Sequence, residues 1–272
     1  WLVVGTDSRE ALPAGPDRYG TVEDTGGGSR ADVLALVRPT ADGLTVLALP
    51  RDLTIGPTFL TSQRLATSYL DGAQNTVDLL CTQLGIATTH LVTVDMAQFA
   101  AIIDSMGGLD VALDEPVRDA NAGLDIPEAG PRTLSGIDAL ALVRSRHPEI
   151  LNNGTWVSMS EADGARRRSE STATVMRAAL SAISQRSSNP LELHRLAHTI
   201  AGNITLDSDT GLSDLAALGR SASKSEKTGS TTIVDLPTGP RDDSIIVSPS
   251  QESRDLLARH GYTPKSCHPT GS

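Results

Sequence analysis

Two apolar runs, "ADVLALVRP" (31–39) and "LTVLALP" (44–50), are separated by only "TADG". Val- and Leu-rich runs of this length read as strands, and Asp42-Gly43 between them is a turn signal, so this part of the chain is committed to an antiparallel hairpin. So apolar a pair of strands needs cover. "WLVVG" reads as a further buried strand, "HLVTVDM" and "LDVAL" as later ones, and "STTIVDLP" and "SIIVSP" as the last. Helical spacing links Val77, Leu80, Cys81 and Leu84, and again Phe99, Ile102, Ile103 and Met106, where Gly107-Gly108 is a C-cap signal. A long helix is expected after Asp163, a natural N-cap, with Val175, Met176, Ala179, Leu180 and Ile183 on its apolar face. Asn189-Pro190 breaks it, and shorter helical patterns follow at 191–200 and 212–218; the polar stretch 221–230 reads as a loop. Strands and helices are mixed while the early strands pair as a hairpin. The expected fold is therefore a single α/β/α layered domain, a central mixed β-sheet flanked by helices, over residues 1–262, with 263–272 as a flexible tail.

The chain has 272 residues, enough for a sizeable core. Aromatic residues make up only 3%, so that core must be built from Leu, Val, Ile and Ala. A net charge of −10 argues against non-specific nucleic-acid binding, which needs a cationic surface. Up to Lys224 the positive charge is carried by arginine. Clustered arginines in an acidic chain suggest focal anion recognition. Cys81 reads first as a small core residue; a bond to Cys267 is the other reading and would imply an oxidising compartment. No CxxC or HExxH metal motif is present. No apolar run approaches the roughly 20 residues needed to span a membrane. The chain opens inside an apolar strand without an initiator Met, so a signal or anchor segment is expected ahead of Trp1.

Polar residues gather where the strands end. Asp7 and Arg9 follow the first strand, Arg30 and Asp32 precede the second, and Arg51 and Asp52 follow the third. If the first strand lies beside the hairpin, these three pairs meet at one sheet edge, the usual place for a site in an α/β fold. Any one of them alone reads as a charged turn residue. Arg144 and Arg146 then close the apolar run "ALALV", and "DGARRR" (163–168) opens the long helix with three arginines. Cations there oppose the helix dipole, whereas the free N–H groups of a helix start attract anions. Arg167 reads as solvated surface.

The segments "GTDSR", "SRADVLALV", "LPRDL", "LGIATTHLVTVDMAQFAAIIDSMGGLDVAL" and "LSGIDALALVRSRH" occur in the order found in the LytR–CpsA–Psr family of bacterial cell-wall enzymes, which the chain resembles over residues 1 to about 180. The resemblance implies a transferase that moves a phosphate-linked glycopolymer from a polyprenyl pyrophosphate carrier onto peptidoglycan. It also implies Mg2+, an N-terminal membrane helix and an extracytoplasmic, membrane-anchored location. Asp7 and Asp32 would lie at the magnesium. Arg30, Arg51, Arg144 and Arg146, with Arg9 beside them, would bind the pyrophosphate, and Arg166 matches the arginine of the family's "DxxR". Arg51, Arg144, Arg146 and Arg166 are the expected catalytic set.

In such enzymes a long apolar pocket between sheet and helices holds the carrier's hydrocarbon tail. Leu80, Phe99, Ile103, Val175, Met176 and Leu180 are its expected lining here, with a plain packed core as the alternative. The chain departs from the pattern at Ala66, where an Asn is usual, and at Ser169 and Glu170, where an Arg-Gln pair is usual. Arg168 stands close enough to substitute. A carboxylate at 170 would repel an anion, which keeps a second reading open: a non-catalytic polyprenyl-phosphate-binding protein of the cell envelope.

Overall fold

A computed structural model describes the chain except residues 14–18, 24–25, 59–60, 187–188, 240–246, 264–266 and 268–272. In chain order the strands and helices are β1 (Leu2–Thr6), β2 (Ala31–Pro39), β3 (Leu44–Leu49), β4 (Thr54–Ile55), β5 (Gln63–Arg64), α1 (Leu65–Ser68), α2 (Ala73–Leu84), β6 (Leu91–Val94), α3 (Met96–Ser105), β7 (Leu109–Leu113), β8 (Val117–Asp119), β9 (Leu124–Ile126), β10 (Gly130–Leu134) and α4 (Gly136–Arg144). Then follow β11 (Glu149–Asn152), β12 (Thr155–Ser158), α5 (Glu161–Arg186), α6 (Pro190–Ala201), β13 (Thr205–Leu206), α7 (Leu212–Thr228), β14 (Thr231–Asp235) and α8 (Gln251–Arg259).

The hairpin expected from the sequence is the centre of a six-stranded sheet of order β13-β6-β1-β2-β3-β14. β1 and β3 flank β2 antiparallel, while β6 and β14 join in parallel, so the sheet is mixed. Side chains alternate between the two faces of a strand. On β2, Leu34 and Leu36 face α2 and α8 in one core, with Leu80, Leu84 and Leu257. Ala35 and Val37 face α5 and α7 in another, with Met176, Leu180 and Ala222. The layers are therefore helix, sheet, helix. A third core joins α3, α4, α5 and α6 to the small sheets beside them and contains Ile103, Leu109, Val117, Leu142, Val175 and Leu196. Helix α5 serves two of these cores, Val175 and Ala182 in one and Met176 and Leu180 in the other.

This packing divides the residues of the expected pocket lining. Leu80 lies on the opposite sheet face from Met176 and Leu180, and Phe99, Ile103 and Val175 belong to the third core. The sheet thus separates Leu80 from Met176 and Leu180. Clefts of about 150 and 290 Å3 run along α5 beside β7, bordered in both cases by Asp110, Ala178 and Ser181.

Other expectations also change. The polar stretch 221–230 is helical to Thr228, because its small side chains allow close packing. Ala222, Ser223 and Ser225 are buried, and Ser225 Oγ accepts the Leu44 N–H at 2.9 Å. Helix α5 starts before Asp163: Ser160 Oγ accepts the Asp163 N–H at 3.2 Å and donates to its carboxylate at 2.7 Å, so Ser160 is the cap and Asp163 lies in the first turn. Of "SIIVSP", 244–246 lie outside the described residues, and Val247 and Pro249 make isolated bridges to Leu53 and Thr238. Of the expected tail, 264–266 and 268–272 also lie outside them, while Cys267 is disulfide-bonded to Cys81. No helix among the described residues is long and apolar enough to cross a membrane.

Helix α4, which carries Arg144, is held close to α3. Gly136 opens α4 where a Cβ would collide with the backbone of Ala100, and its N–H donates to Asp104 at 2.7 Å. Gly136→Ala is expected to lower stability by about 1–3 kcal/mol through overpacking against backbone that has no room to yield. Chemical denaturation checks this, with an unchanged midpoint as the contrary result.

Candidate functional site

The topology brings the polar strand ends together. β1 ends, β2 begins and β3 ends at the same sheet edge, because β2 runs antiparallel to both neighbours. The Arg30 N–H donates to Asp7 Oδ1 at 2.6 Å, and the Arg30 guanidinium lies 3.7 Å from Asp7 Oδ2. Arg9 crosses beneath, donating to the Asp7 carbonyl at 2.9 Å and approaching Met96 Sδ at 3.6 Å. Asp32 accepts from Arg51 through one oxygen and from Arg146 through the other, the latter at 3.3 Å. Arg51 also lies 3.6 Å from Asp52. The turn after β3 is held by the start of α1, where the Ala66 N–H donates to the Arg51 carbonyl at 2.8 Å. Buried Ala66 thus supports the Arg51 turn through its backbone.

Arg144 ends α4 with its guanidinium over the Tyr19 ring, 4.8 Å from the centroid. Its Nη1 is buried without a hydrogen-bond partner among the described residues, as is Arg9 Nε. Burial first, then the neighbouring Arg9, pushes the Arg144 pKa down. Arg168 reaches the Asp32 carbonyl at 3.4 Å, and its pKa is pushed down to about 10, mostly by burial and then by Arg146. Arginine stays charged under physiological conditions. Both shifts therefore describe partly buried cations beside other cations, a state that an anion would relieve.

The arginine triplet of α5 sorts by helix geometry, about 100° per residue. Arg166 turns to solvent, 67% exposed, and pairs along its own helix with Asp163 at 3.0 Å and Glu170 at 4.0 Å. It does not join the site, and Glu170 faces outward with it. Arg167, expected to be solvated surface, is only 18% exposed and pairs with Glu115. Arg168 is the one that enters the cluster. The signal was available, since Arg168 precedes Thr172, Val175 and Ala179 at the spacing of the helix's inner face. Gly164 lets this helix start lie against the Arg146 loop, where a Cβ would stand 2.9 Å from the Arg146 carbonyl oxygen.

Sequence reasoning missed Asp119 altogether. It ends β8, is 1% exposed, and has no ion pair among the described residues. Its Oδ2 accepts the Ser145 hydroxyl at 2.8 Å and the Arg146 and His147 N–H groups at 2.9 Å each. Its Oδ1 accepts from Asn121 and Ala122 at 3.0 and 3.2 Å. Burial alone would raise the Asp119 pKa, but these hydrogen bonds, led by the His147 N–H, hold it below the usual carboxylate value.

Among the described residues, Arg9, Arg30, Arg51, Arg144, Arg146 and Arg168 thus gather around Asp7, Asp32 and Asp52, with Arg64 at the rim 4.0 Å from Asp52. Arg144 and Arg146 sit at the mouth of an apolar segment because that segment is the packed helix α4, whose end delivers them to this edge. A family model described as the LytR_cpsA_psr family matches residues 1–249. The chain belongs to this family.

Relatives of this LytR–CpsA–Psr protein include the probable cell wall biosynthesis protein LcpB of Corynebacterium glutamicum, 31% identical over 54% of this chain and 36% of that one. Another is the polyisoprenyl-teichoic acid–peptidoglycan teichoic acid transferase TagU of Halalkalibacterium halodurans, 28% identical over 53% of this chain and 44% of that one. The matched part spans less than half the length of either curated relative. The solved structure of the LytR-Csp2A-Psr enzyme from Actinomyces oris is 66% identical, with a TM-score of 0.85, over 99% of this chain and 92% of that one. The family's α/β architecture, with its mixed sheet between helices, is the one described here.

Proposed function

We propose that this LytR–CpsA–Psr protein is a phosphotransferase that moves a glycopolymer from a polyprenyl pyrophosphate carrier onto peptidoglycan. The observation that carries the reading is the guanidinium surplus at one sheet edge, where among the described residues the arginines outnumber Asp7, Asp32 and Asp52 in a chain of net charge −10. The unpartnered Nη1 of Arg144 and Nε of Arg9 add to it. A pyrophosphate supplies the acceptor oxygens that these donors lack, and planar guanidinium forks match its non-bridging oxygens. In the reaction, an acceptor hydroxyl oxygen bonds to the phosphorus bearing the polymer. The bond from that phosphorus to the bridging oxygen breaks, polyprenyl monophosphate leaves, and the hydroxyl proton passes to solvent. Charge spreads over the phosphoryl oxygens in such a transfer, so catalysis is mostly positioning and charge compensation by Arg51, Arg144, Arg146 and Arg168.

Asp7 and Asp32 at the ends of neighbouring strands are a hard-oxygen donor set of the kind magnesium uses, and they would hold Mg2+. Bound there, the ion neutralises phosphate charge. Among the described residues no cluster of three or more Asp, Glu, His or Cys forms a cation cage, so the ion would rest on these two carboxylates, with water and phosphate as its remaining ligands. The Cys81–Cys267 bond supports an oxidising, extracytoplasmic compartment, in keeping with relatives named for cell-wall biosynthesis. The alternative of a non-catalytic carrier-binding protein draws no support from Glu170, whose carboxylate faces away from the cluster.

The test is incubation with a prenyl pyrophosphate-linked disaccharide, peptidoglycan and Mg2+. Transfer predicts prenyl monophosphate release and, after muramidase digestion, disaccharide phosphate on muropeptides by mass spectrometry. Tight binding of the donor with no monophosphate released would leave only the carrier-binding reading.

A further inference from the structure

The buried carboxylate of Asp119 has no role in the reading above, yet it holds the loop that follows Arg144 and carries Arg146. One oxygen gathers the Ser145 hydroxyl and two successive backbone N–H groups, those of Arg146 and His147, all within 2.9 Å. The other holds the turn after β8 through Asn121 and Ala122. Successive N–H groups around one anionic oxygen form a nest, which fixes backbone direction. The loop needs such a fixture. Helix α4 stops at Arg144, Ser145 turns extended (φ −59°, ψ 118°), and β11 does not begin until Glu149. Without an anchor, the directions of Arg144 and Arg146 from this corner are not defined.

No cation stands against Asp119 among the described residues, so an ion pair does not explain a 1% exposed charge. The three donors that Oδ2 collects all come from the Arg146 corner. Arg146 in turn reaches Asp32 at 3.3 Å across the sheet edge, and its field is felt at Arg144 and Arg168. We propose that Asp119 is a positioning residue of the pyrophosphate site, acting through the backbone of 145–147 to aim Arg146 and to set the end of α4 from which Arg144 projects. The inference rests on the pyrophosphate reading of the arginine cluster.

Asparagine keeps the shape of this side chain but carries only one acceptor oxygen, so it serves either the Arg146 corner or the Asn121–Ala122 turn, not both. Two measurements on the full chain test the proposal. The first is a double-mutant cycle of Asp119→Asn and Arg146→Ala, read as affinity for geranylgeranyl pyrophosphate, with folding followed by thermal melting. Asp119→Asn alone is expected to weaken binding roughly tenfold or more. In the Arg146→Ala background its effect should shrink to at most about threefold, because its action passes largely through that arginine. A residue that merely stabilises the fold would give the same factor in both backgrounds.

The second is amide hydrogen exchange at Arg146 and His147, slow in the parent and fast in Asp119→Asn. Should Asp119→Asn fail to fold, Ser145→Ala removes one of the three donors and is expected to show the same coupling to Arg146 in weaker form. If the parent does not bind geranylgeranyl pyrophosphate at all, the pyrophosphate reading fails and the inference with it. If the parent binds, and either Asp119→Asn binds equally well, its effect is the same in both backgrounds, or exchange at 146–147 is unaltered, the inference alone is overturned.

Discussion

Reducing the Cys81–Cys267 bond is expected to lower the free energy of unfolding by about 2–5 kcal/mol, typical for removal of a native disulfide. The sequence separation is 186 residues, so the bond closes nearly the whole chain and removes much of the freedom of the unfolded state. It ties the end of α2 to the segment beyond α8. Leu257 of α8 is packed in the α2 core, and Tyr262 lies beneath the Arg38 guanidinium, 5.2 Å from ring centroid to cation. Native contacts therefore persist after reduction while the loss falls mainly on the unfolded side. Urea unfolding with and without reductant, and of Cys267→Ser, measures it. An unchanged midpoint after thiol titration has confirmed reduction would refute the estimate.

The second large effect separates two arginines that lie two residues apart. Arg168→Ala is expected to cost about 1.5–3 kcal/mol of prenyl pyrophosphate binding, the size of a charge-assisted contact. That corresponds to roughly ten- to more than hundredfold in affinity. Arg166→Ala should change binding little, since an exposed pair contributes about 0–1 kcal/mol. The melting temperature supplies a further sign. Removing a half-buried cation whose repulsion by Arg146 and Arg51 offsets its attraction to Asp32 and Asp52 should leave stability nearly unaltered while binding collapses. A core residue would lose both. Equal loss at Arg166 and Arg168, or none at either, would mean that the inward face of α5 is not part of the site.

Much of the scaffold was legible because hydrophobic period and burial coincide. The β2–β3 hairpin, the stripe of α2 and the capped end of α3 at Gly107-Gly108 follow directly from their residues. The Arg/Asp pairs at three strand ends were legible for the same reason, since strand order in an antiparallel pair decides which ends meet. What escaped depended on partners distant in sequence. The second half of α7 looks like a loop because serine is locally indifferent to helix, and only its close packing, with the Ser225 bond to Leu44, makes it one. A stripe shows which face of a helix is apolar but not which sheet face receives it, so Leu80 and Met176 were placed together although the sheet divides them. Asp119 was invisible because its partners lie 26–28 residues away in a loop of no regular pattern.

Within the site, the "DxxR" pattern pointed to Arg166, whereas the turn of α5 sends Arg168 inward. The same turn carries Glu170 outward, which removes the repulsion expected from its sequence position. A motif read as a string misses the 100° that each residue adds.

The claim at the centre of this account is that the sheet-edge arginines hold the pyrophosphate of a lipid-linked substrate. A crystal structure of the protein with a prenyl pyrophosphate and Mg2+ tests it most directly. The expected result is phosphate oxygens within hydrogen-bond distance of Arg51, Arg144, Arg146 and Arg168, with Nη1 of Arg144 taking a phosphate oxygen as its missing partner. A pyrophosphate bound at the solvent face of Arg166, or anywhere that leaves the guanidinium groups of Arg144 and Arg146 without a phosphate contact, would contradict it.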